Sequence, residues 1–246
     1  MLAGDGILGY TVAMPFTDGR RTYYDHEKVY RQITAKGGLG WNDLSGALDS
    51  DSYDSIHAFL DSPFASQLKA NRSVLELGCG GGQVAMMFAR RGCVTHGLDF
   101  SPTAISLAKS NADQAGLMID FKEGDCLTLK DYADASFDLV VDNHVWHCIV
   151  GREDRAAFLK AAFRVLKPGG LLFSETMTRE GSFSPSVVNA DPETFIARNK
   201  SRYWVAREEA LEELKLAGFE IVYERIKSQA ATPGVGDLLV IYGRRP

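Results

Sequence analysis

No two of the four cysteines stand at C-x-x-C spacing. Cys79, Cys93, Cys126 and Cys148 are scattered along the chain, so neither a zinc site nor a disulfide framework is expected, and no metal site is read from the sequence. Free thiols fit a reducing compartment, and the protein is expected to be intracellular and cytoplasmic. Dense blocks of Lys or Arg are also lacking, and the formal net charge is -5. That balance argues against a chain held mainly by nucleic-acid phosphates; the arginine pairs at 20–21, 90–91 and 244–245 read as solvated surface. No basic stretch followed by an apolar one opens the chain, and no apolar run approaches the length of a membrane span. These absences leave a soluble chain of 246 residues, long enough for one large domain with a substantial core and an appendage.

What is present is concentrated first in Val74-Leu75-Glu76-Leu77-Gly78-Cys79-Gly80-Gly81-Gly82-Gln83-Val84. The apolar run Ser73 to Leu77 reads as a short buried strand. Glycines then force a turn, and Gln83 to Arg91 carries helical apolar spacing at Val84, Met87 and Phe88. Strand, glycine turn and helix make a nucleotide cradle: a ligand can approach backbone that has no Cβ, and N–H groups at a helix start favour polar or anionic groups. A turn that binds nothing is the plain alternative. A dinucleotide fingerprint would need a third glycine at position 83, which is Gln83.

The spacing Glu76-x-Gly78-x-Gly80-x-Gly82 instead resembles motif I of the class I S-adenosylmethionine (SAM)-dependent methyltransferases, and the resemblance runs from about Ser73 to the C-terminus. Asp99 ends the next β-prone run, Cys93 to Leu98, about twenty residues beyond the glycines. It is placed to accept hydrogen bonds from a ribose diol; the competing role, capping the next helix, is already filled by Ser101-Pro102. Phe100 could lie against an adenine face. A helix from Pro102 to about Ala115, ended by Gly116, leads to a third strand from Met118 to Lys122. Then comes Glu123-Gly124-Asp125-Cys126, where the resemblance implies a bond from Asp125 to the adenine amino group; alone, Gly-Asp is an ordinary turn. Taken together, the resemblance implies SAM contacts at Glu76, Gly78, Cys79, Gly80, Gly82, Asp99, Phe100, Ser101, Asp125, Cys126 and Asn143, with S-adenosylhomocysteine as product.

Phe137 to Asn143 reads as a fourth strand, apolar enough to be buried on both faces. The segment after it, Asn143-His144-Val145-Trp146-His147-Cys148-Ile149, occupies the position where family members face both methyl donor and acceptor. His147 and His144 are the candidate catalytic bases, since an imidazole takes a proton near neutral pH, although a histidine in such a loop is more often a structural donor. If strand geometry continued, His147 would share a side with Asn143 and Val145. The absence of N-P-P-[YFW] sets this tip apart from methyltransferases of nucleic-acid or protein amides and amines, and it looks more like the small-molecule type.

Arg152 to Leu166 shows a helical stripe. Lys167-Pro168-Gly169-Gly170 reads as its stop and a tight turn, before a strand from Leu171 to Thr176. Residues 177–204 read as a lid on the acceptor side. A helix from Arg207 to Ala217 follows, then strands from Phe219 to Lys227 and Asp237 to Gly243. The fold is expected to be α/β, and the two strands after the last helix match the hairpin that closes the class I methyltransferase sheet, so the resemblance implies a Rossmann-like, doubly wound, seven-stranded sheet of order 3-2-1-4-5-7-6 with its last strand antiparallel. The methyltransferase domain spans 71–246. Residues 1–70 form an N-terminal arm and helical cap, irregular to about Arg21, with helices from Thr22 to Ile33 and Asp51 to Leu60 and a helical turn near Phe64–Leu68. Tyr23, Tyr24, Trp41 and Tyr53 are candidates for a lid over the cofactor, or anchors of the extension to the core.

The function expected is methyl transfer from SAM to an O, N or S atom of a small molecule, without a nucleic-acid or membrane partner. An RNA base as acceptor, a SAM-binding module without catalysis, and a nicotinamide dehydrogenase are the alternatives. Oligomeric state is not legible.

Overall fold

The computed structural model describes residues 11–13, 22–24, 26–41, 53–67 and 71–246. Its centre is a seven-stranded sheet built from β3 (Ser73–Leu77), β4 (Val94–Asp99), β5 (Asp120–Glu123), β6 (Phe137–Asn143), β7 (Leu166–Phe183), β8 (Glu220–Lys227) and β9 (Val235–Arg244). The order is β5-β4-β3-β6-β7-β9-β8, which, counted from β3, is the expected 3-2-1-4-5-7-6. β9 pairs antiparallel with both β7 and β8, while β3 to β7 pair in parallel.

Side-chain alternation divides the core into two layers. Leu75, Leu77, Val140 and Leu172 face α5 (Arg152–Val165) and α6 (Arg207–Leu216), meeting Phe158, Leu159, Ala162 and Leu214. Their neighbours Val74, Leu139, Val141 and Phe173 point the other way, to α2 (Asp54–Leu60) and α3 (Gln83–Ala89) through Ile56, Phe59, Val84 and Phe88. Central strands buried on both faces cannot alternate polar with apolar, which is why β3 and β6 read so plainly as apolar runs. α4 (Pro102–Gln114) packs on α3 and β5 through Ile105, Ala108 and Phe121. Its start follows the expected capping: Ser101 Oγ accepts from the Ala104 N–H at 2.9 Å with Pro102 in the first turn.

Two sequence expectations are corrected. The chain from Thr22 is not helical at once: β2 (Thr22–Tyr24) pairs antiparallel with β1 (Thr11–Ala13), and α1 begins only at His26 and runs to Ala35. The rest of residues 1–21, and the side chains of Tyr23 and Tyr24, lie outside the described residues. The second correction concerns Lys167-Pro168-Gly169-Gly170, which stops α5 but makes no separate turn. β7 starts at Leu166, and the four residues sit inside it where its register against β6 shifts between Phe137 and Leu139. The ladder survives because the C-terminal tail pairs there: Gly169 N–H donates to Arg245 O at 2.7 Å, and Arg245 N–H to Gly170 O at 2.9 Å. The strand also outruns its expected end at Thr176, reaching Phe183.

The segment after β7 folds around its own small cluster, Ala190, Ala197 and Trp204 with Met177, Phe183 and Phe195 against them. It is tied to the main sheet by the Tyr203 N–H donating to His147 O at 2.8 Å and by the Trp204 indole donating to Val235 O at 2.9 Å.

Candidate active site

One cavity of ≈ 350 Å³ opens at the carboxyl ends of β3, β4 and β6, where a sheet whose strand order reverses leaves a crevice between its helices. Its polar floor is the glycine turn. Gly80 adopts φ 52°, a conformation that disfavours a Cβ, and a Cβ there would run into the Tyr30 hydroxyl of α1. The turn is braced from below by carboxylates: Asp99 Oδ2 accepts the Gly80 N–H at 2.9 Å, Asp99 Oδ1 accepts Ser101 N–H at 2.9 Å, and Glu76 accepts the Ala85 N–H at 2.8 Å. Burial lifts Asp99 to about 6, against the lowering effect of the Ser101 and Gly80 N–H groups; the nearby charge of Glu27 adds to the rise. Burial likewise raises Glu76 well above the usual carboxylate range.

Of the residues singled out in the sequence, Glu76, Gly78, Cys79, Gly80, Asp99, Phe100, Asp125, Cys126, Asn143, His144 and His147 all line this cavity. Two do not. Gly82 caps α3 at φ 81°, and a Cβ on it would sit 2.7 Å from Phe121 Cζ; that glycine serves helix–sheet packing. Ser101 is wholly buried, its hydroxyl engaged by the α4 cap and by Glu27 Oε2 at 2.5 Å. Neither is brought to the cavity wall.

The tip of β6 builds the opposite side. Strand geometry stops at Asn143: His144 turns into the left-handed region at φ 74°, and Trp146–Cys148 forms a 3-10 turn. The continued-strand expectation for His147 therefore fails, although His147 still reaches the cavity. Asp142 organises this bend from beneath, accepting from Val145 N–H at 2.8 Å, Trp146 N–H at 3.1 Å and the Ser174 hydroxyl at 2.6 Å. His147 Nδ1 accepts from the Met177 N–H at 3.4 Å, which leaves its proton on Nε2. Burial, with Arg202 nearby, holds His147 well below its usual value and His144 at about 4. Both rings are therefore neutral at pH 7. Asn143 Oδ1 is buried without a hydrogen bond among the described residues.

α1 roofs the cavity. Glu27 fastens it to the start of α4 by accepting from the Ser101 and Thr103 hydroxyls at 2.5 and 2.7 Å. His26, Tyr30, Trp41 and Tyr53 then line the cavity from that side. Trp41 and Tyr53 were lid candidates; His26 and Tyr30 of α1, which lies between the lid aromatics in the chain, were missed. Arg202 and Met177 were missed as well. Three of the four thiols, Cys79, Cys126 and Cys148, also face this space, and burial raises the pKa of each. Among the described residues no group of three or more His, Cys, Asp or Glu is arranged to hold a metal ion, and no helix is long and apolar enough to cross a membrane.

Residues 75–174 match the family model described as a methyltransferase domain. This region is similar to methyltransferase domains, and the strand order around it is that of the SAM-dependent methyltransferase fold. Among curated relatives, the chain is 34% identical over 132 residues to a ubiquinone biosynthesis O-methyltransferase of Methylobacterium sp. (strain 4-46), covering 52% of this chain and 51% of the relative. The chain thus spans about half the length of the curated relatives it matches. Solved structures share the fold: a SAM-dependent methyltransferase from Methanosarcina mazei has TM-score 0.62 at 23% identity, covering 75% of this chain and 97% of that one. The Burkholderia thailandensis 1,6-didemethyltoxoflavin-N1-methyltransferase, crystallised with S-adenosylhomocysteine, has TM-score 0.66 at 18% identity, covering 89% and 87%.

SAM is the cofactor of this family, and the donor set of the cavity fits it. The ligand carries ribose hydroxyls, amino groups and a sulfonium, all of which call for acceptors or negative charge. The cavity offers the carboxylates of Asp99 and Asp125 and the unpaired Asn143 Oδ1, between apolar walls that include Leu98, Leu127 and Val145.

Proposed function

We propose that this protein transfers a methyl group from SAM to a hydroxyl oxygen of a small-molecule acceptor. The observation that carries the reading is that one cavity holds both the carboxylates suited to the donor and two neutral imidazoles suited to the acceptor. The names of the curated relatives, O-methyltransferases of ubiquinone biosynthesis, support oxygen as the atom methylated. A net charge of -5 supports a small molecule over a nucleic acid.

SAM, when bound, supplies a methyl group on an electrophilic sulfonium. The residues of the chain do the rest. Asp99 and Asp125 would hold the nucleoside end, and Asn143 would take one of the donor's N–H groups. α1 and Trp41 exclude water, so that catalysis rests on orientation and desolvation. A hydroxyl must lose its proton as its oxygen attacks, and a neutral imidazole at the tip of β6 is the group that can accept it.

The test is a calorimetric titration with S-adenosylhomocysteine and, as control, NAD, on the wild type and on Asp99→Ala, followed by a screen of hydroxyl, amine and thiol acceptors with methyl-labelled SAM. Stoichiometric binding that Asp99→Ala weakens at least tenfold, with label passing to hydroxyls, is expected. No binding of the homocysteine, or label passing only to nitrogen or sulfur, refutes the reading.

A further inference from the structure

Glu175 is a carboxylate set deep in the described core. It sits on β7 opposite Asn143 and is 0% exposed, and neither of its carboxylate oxygens meets a well-formed hydrogen bond among the described residues, with the Ser55 hydroxyl of α2 the polar group turned toward it. A buried carboxylate so thinly satisfied is costly, and such groups persist where something uses them. The backbone here holds its neighbour in place: His144 N–H donates to Glu175 O at 3.1 Å. The same contact, together with the left-handed φ of 74° at His144, swings the imidazole round so that Nε2 lies 3.5 Å from Glu175 Oε1. That distance is at the outer edge of a hydrogen bond, and catalytic hydrogen bonds are often long before ligands bind. Strain of this kind in a non-glycine residue at a cavity wall is itself a pointer to function.

We infer that Glu175 is a positioning residue: it holds His144 as the Nε2–H tautomer, so that Nδ1 is the nitrogen that receives the acceptor's proton, while His147, whose Nδ1 is occupied by the Met177 N–H, serves as a donor through Nε2. This assignment rests on the methyl-transfer reading above and divides the labour of two histidines that the sequence left equivalent. In the step it serves, a lone pair of the acceptor oxygen forms the bond to the methyl carbon, the C–S bonding pair stays on sulfur, and the O–H proton passes to His144 Nδ1. The imidazolium so formed needs a counter-charge. Arg202 and Lys227 both oppose it, His147 stacks edge-on at 5.4 Å, and Glu175 is the carboxylate at its far nitrogen. Burial pushes Glu175 above the usual carboxylate value, against the lowering effect of the Ser55 hydroxyl of α2 and of Lys227 and Arg225 of β8, and Asp54 adds to the rise.

The experiment is two-bond 1H–15N correlation NMR on histidine-labelled protein, free and saturated with S-adenosylhomocysteine, a readout that needs no acceptor. His144→Gln assigns the resonances. The wild type is expected to show His144 as Nε2–H. Glu175→Leu, close in volume but unable to accept, should release His144 into a mixture of tautomers, whereas Glu175→Gln, whose amide oxygen still accepts, should keep the tautomer and move the Nε2 proton upfield as the charge-assisted bond weakens. His147 should stay Nε2–H throughout. An Nδ1–H form of His144 in the wild type, or a tautomer that Glu175→Leu leaves in place, overturns the assignment. Failure of the wild type to bind S-adenosylhomocysteine would count against the methyl-transfer reading alone, because the tautomer is read in the free protein as well.

Discussion

At the scale of single residues, Asp99 links the cofactor to pH. Burial raises it to about 6, so the folded chain holds this proton more tightly than the unfolded chain does. Its contribution to stability is therefore full below the ordinary value near 3.8 and is lost as pH rises through 6. On the proposed reading binding runs the other way, because ribose hydroxyls would donate to the ionised form. Affinity for S-adenosylhomocysteine should be about tenfold weaker at pH 5 than at pH 7, as calorimetry across that range would show, and Asp99→Asn should flatten the profile. Asp99 and the glycines were legible in the sequence because a turn after a strand dictates its own backbone. Glu175, Arg202 and Tyr30 were not, since nothing local announces which face of β7 meets His144 or where the segment after it returns. Gly82 and Ser101 were legible as special positions, and the structure sets them off the cavity wall, where packing against Phe121 and capping of α4 use the same residue types as ligand binding.

Among the elements, α1 is the one that completes the site while standing outside the sheet. Val29, Tyr30 and Ile33 pack on Ala104 and Leu107 of α4, and Glu27 adds hydrogen bonds at the start of that helix, where negative charge is favoured. Those bonds outweigh the effect of burial and keep Glu27 below the usual carboxylate range. Glu27→Ala should lower stability by about 1–2 kcal/mol, seen as a lower Tm, and should speed release of S-adenosylhomocysteine in stopped-flow displacement. A packing-only role for α1 would leave the release rate unchanged. Strands β3 and β6 were readable to the residue from their apolar runs. β7 was not, because Pro168 and the two glycines after it carry a turn's composition while the tail at Arg245 supplies the hydrogen bonds that keep the chain in the sheet.

For the molecule as a whole, Arg155 is the point where three parts meet. Its side chain is 2% exposed. Its guanidinium lies 4.6 Å from the ring centres of both Trp146, in the turn that carries His147, and Tyr203, at the end of the segment beyond β7. It also pairs with Glu213 of α6 at 2.8 Å. Arg155→Ala strips a buried charge of its partner and should cost about 3–5 kcal/mol in urea unfolding, with loss of methyl transfer beyond what stability explains. Arg155→Met combined with Glu213→Leu should regain most of that stability, since a well-packed apolar pair replaces an ion pair at little cost. The overall strand order came with the family resemblance, through the two strands that follow the last helix; this junction, made by residues far apart in sequence, was not legible.

The thiols gathered around the cavity give the protein a built-in footprint. Protonated at neutral pH, the buried Cys79 and the half-buried Cys126 and Cys148 should alkylate slowly, and more slowly still once a ligand fills the space they face. Cys93, elsewhere in the core, serves as the internal standard. Mass spectrometry after timed iodoacetamide treatment would then read occupancy directly, cysteine by cysteine, for acceptors too weak or too slow to register as turnover.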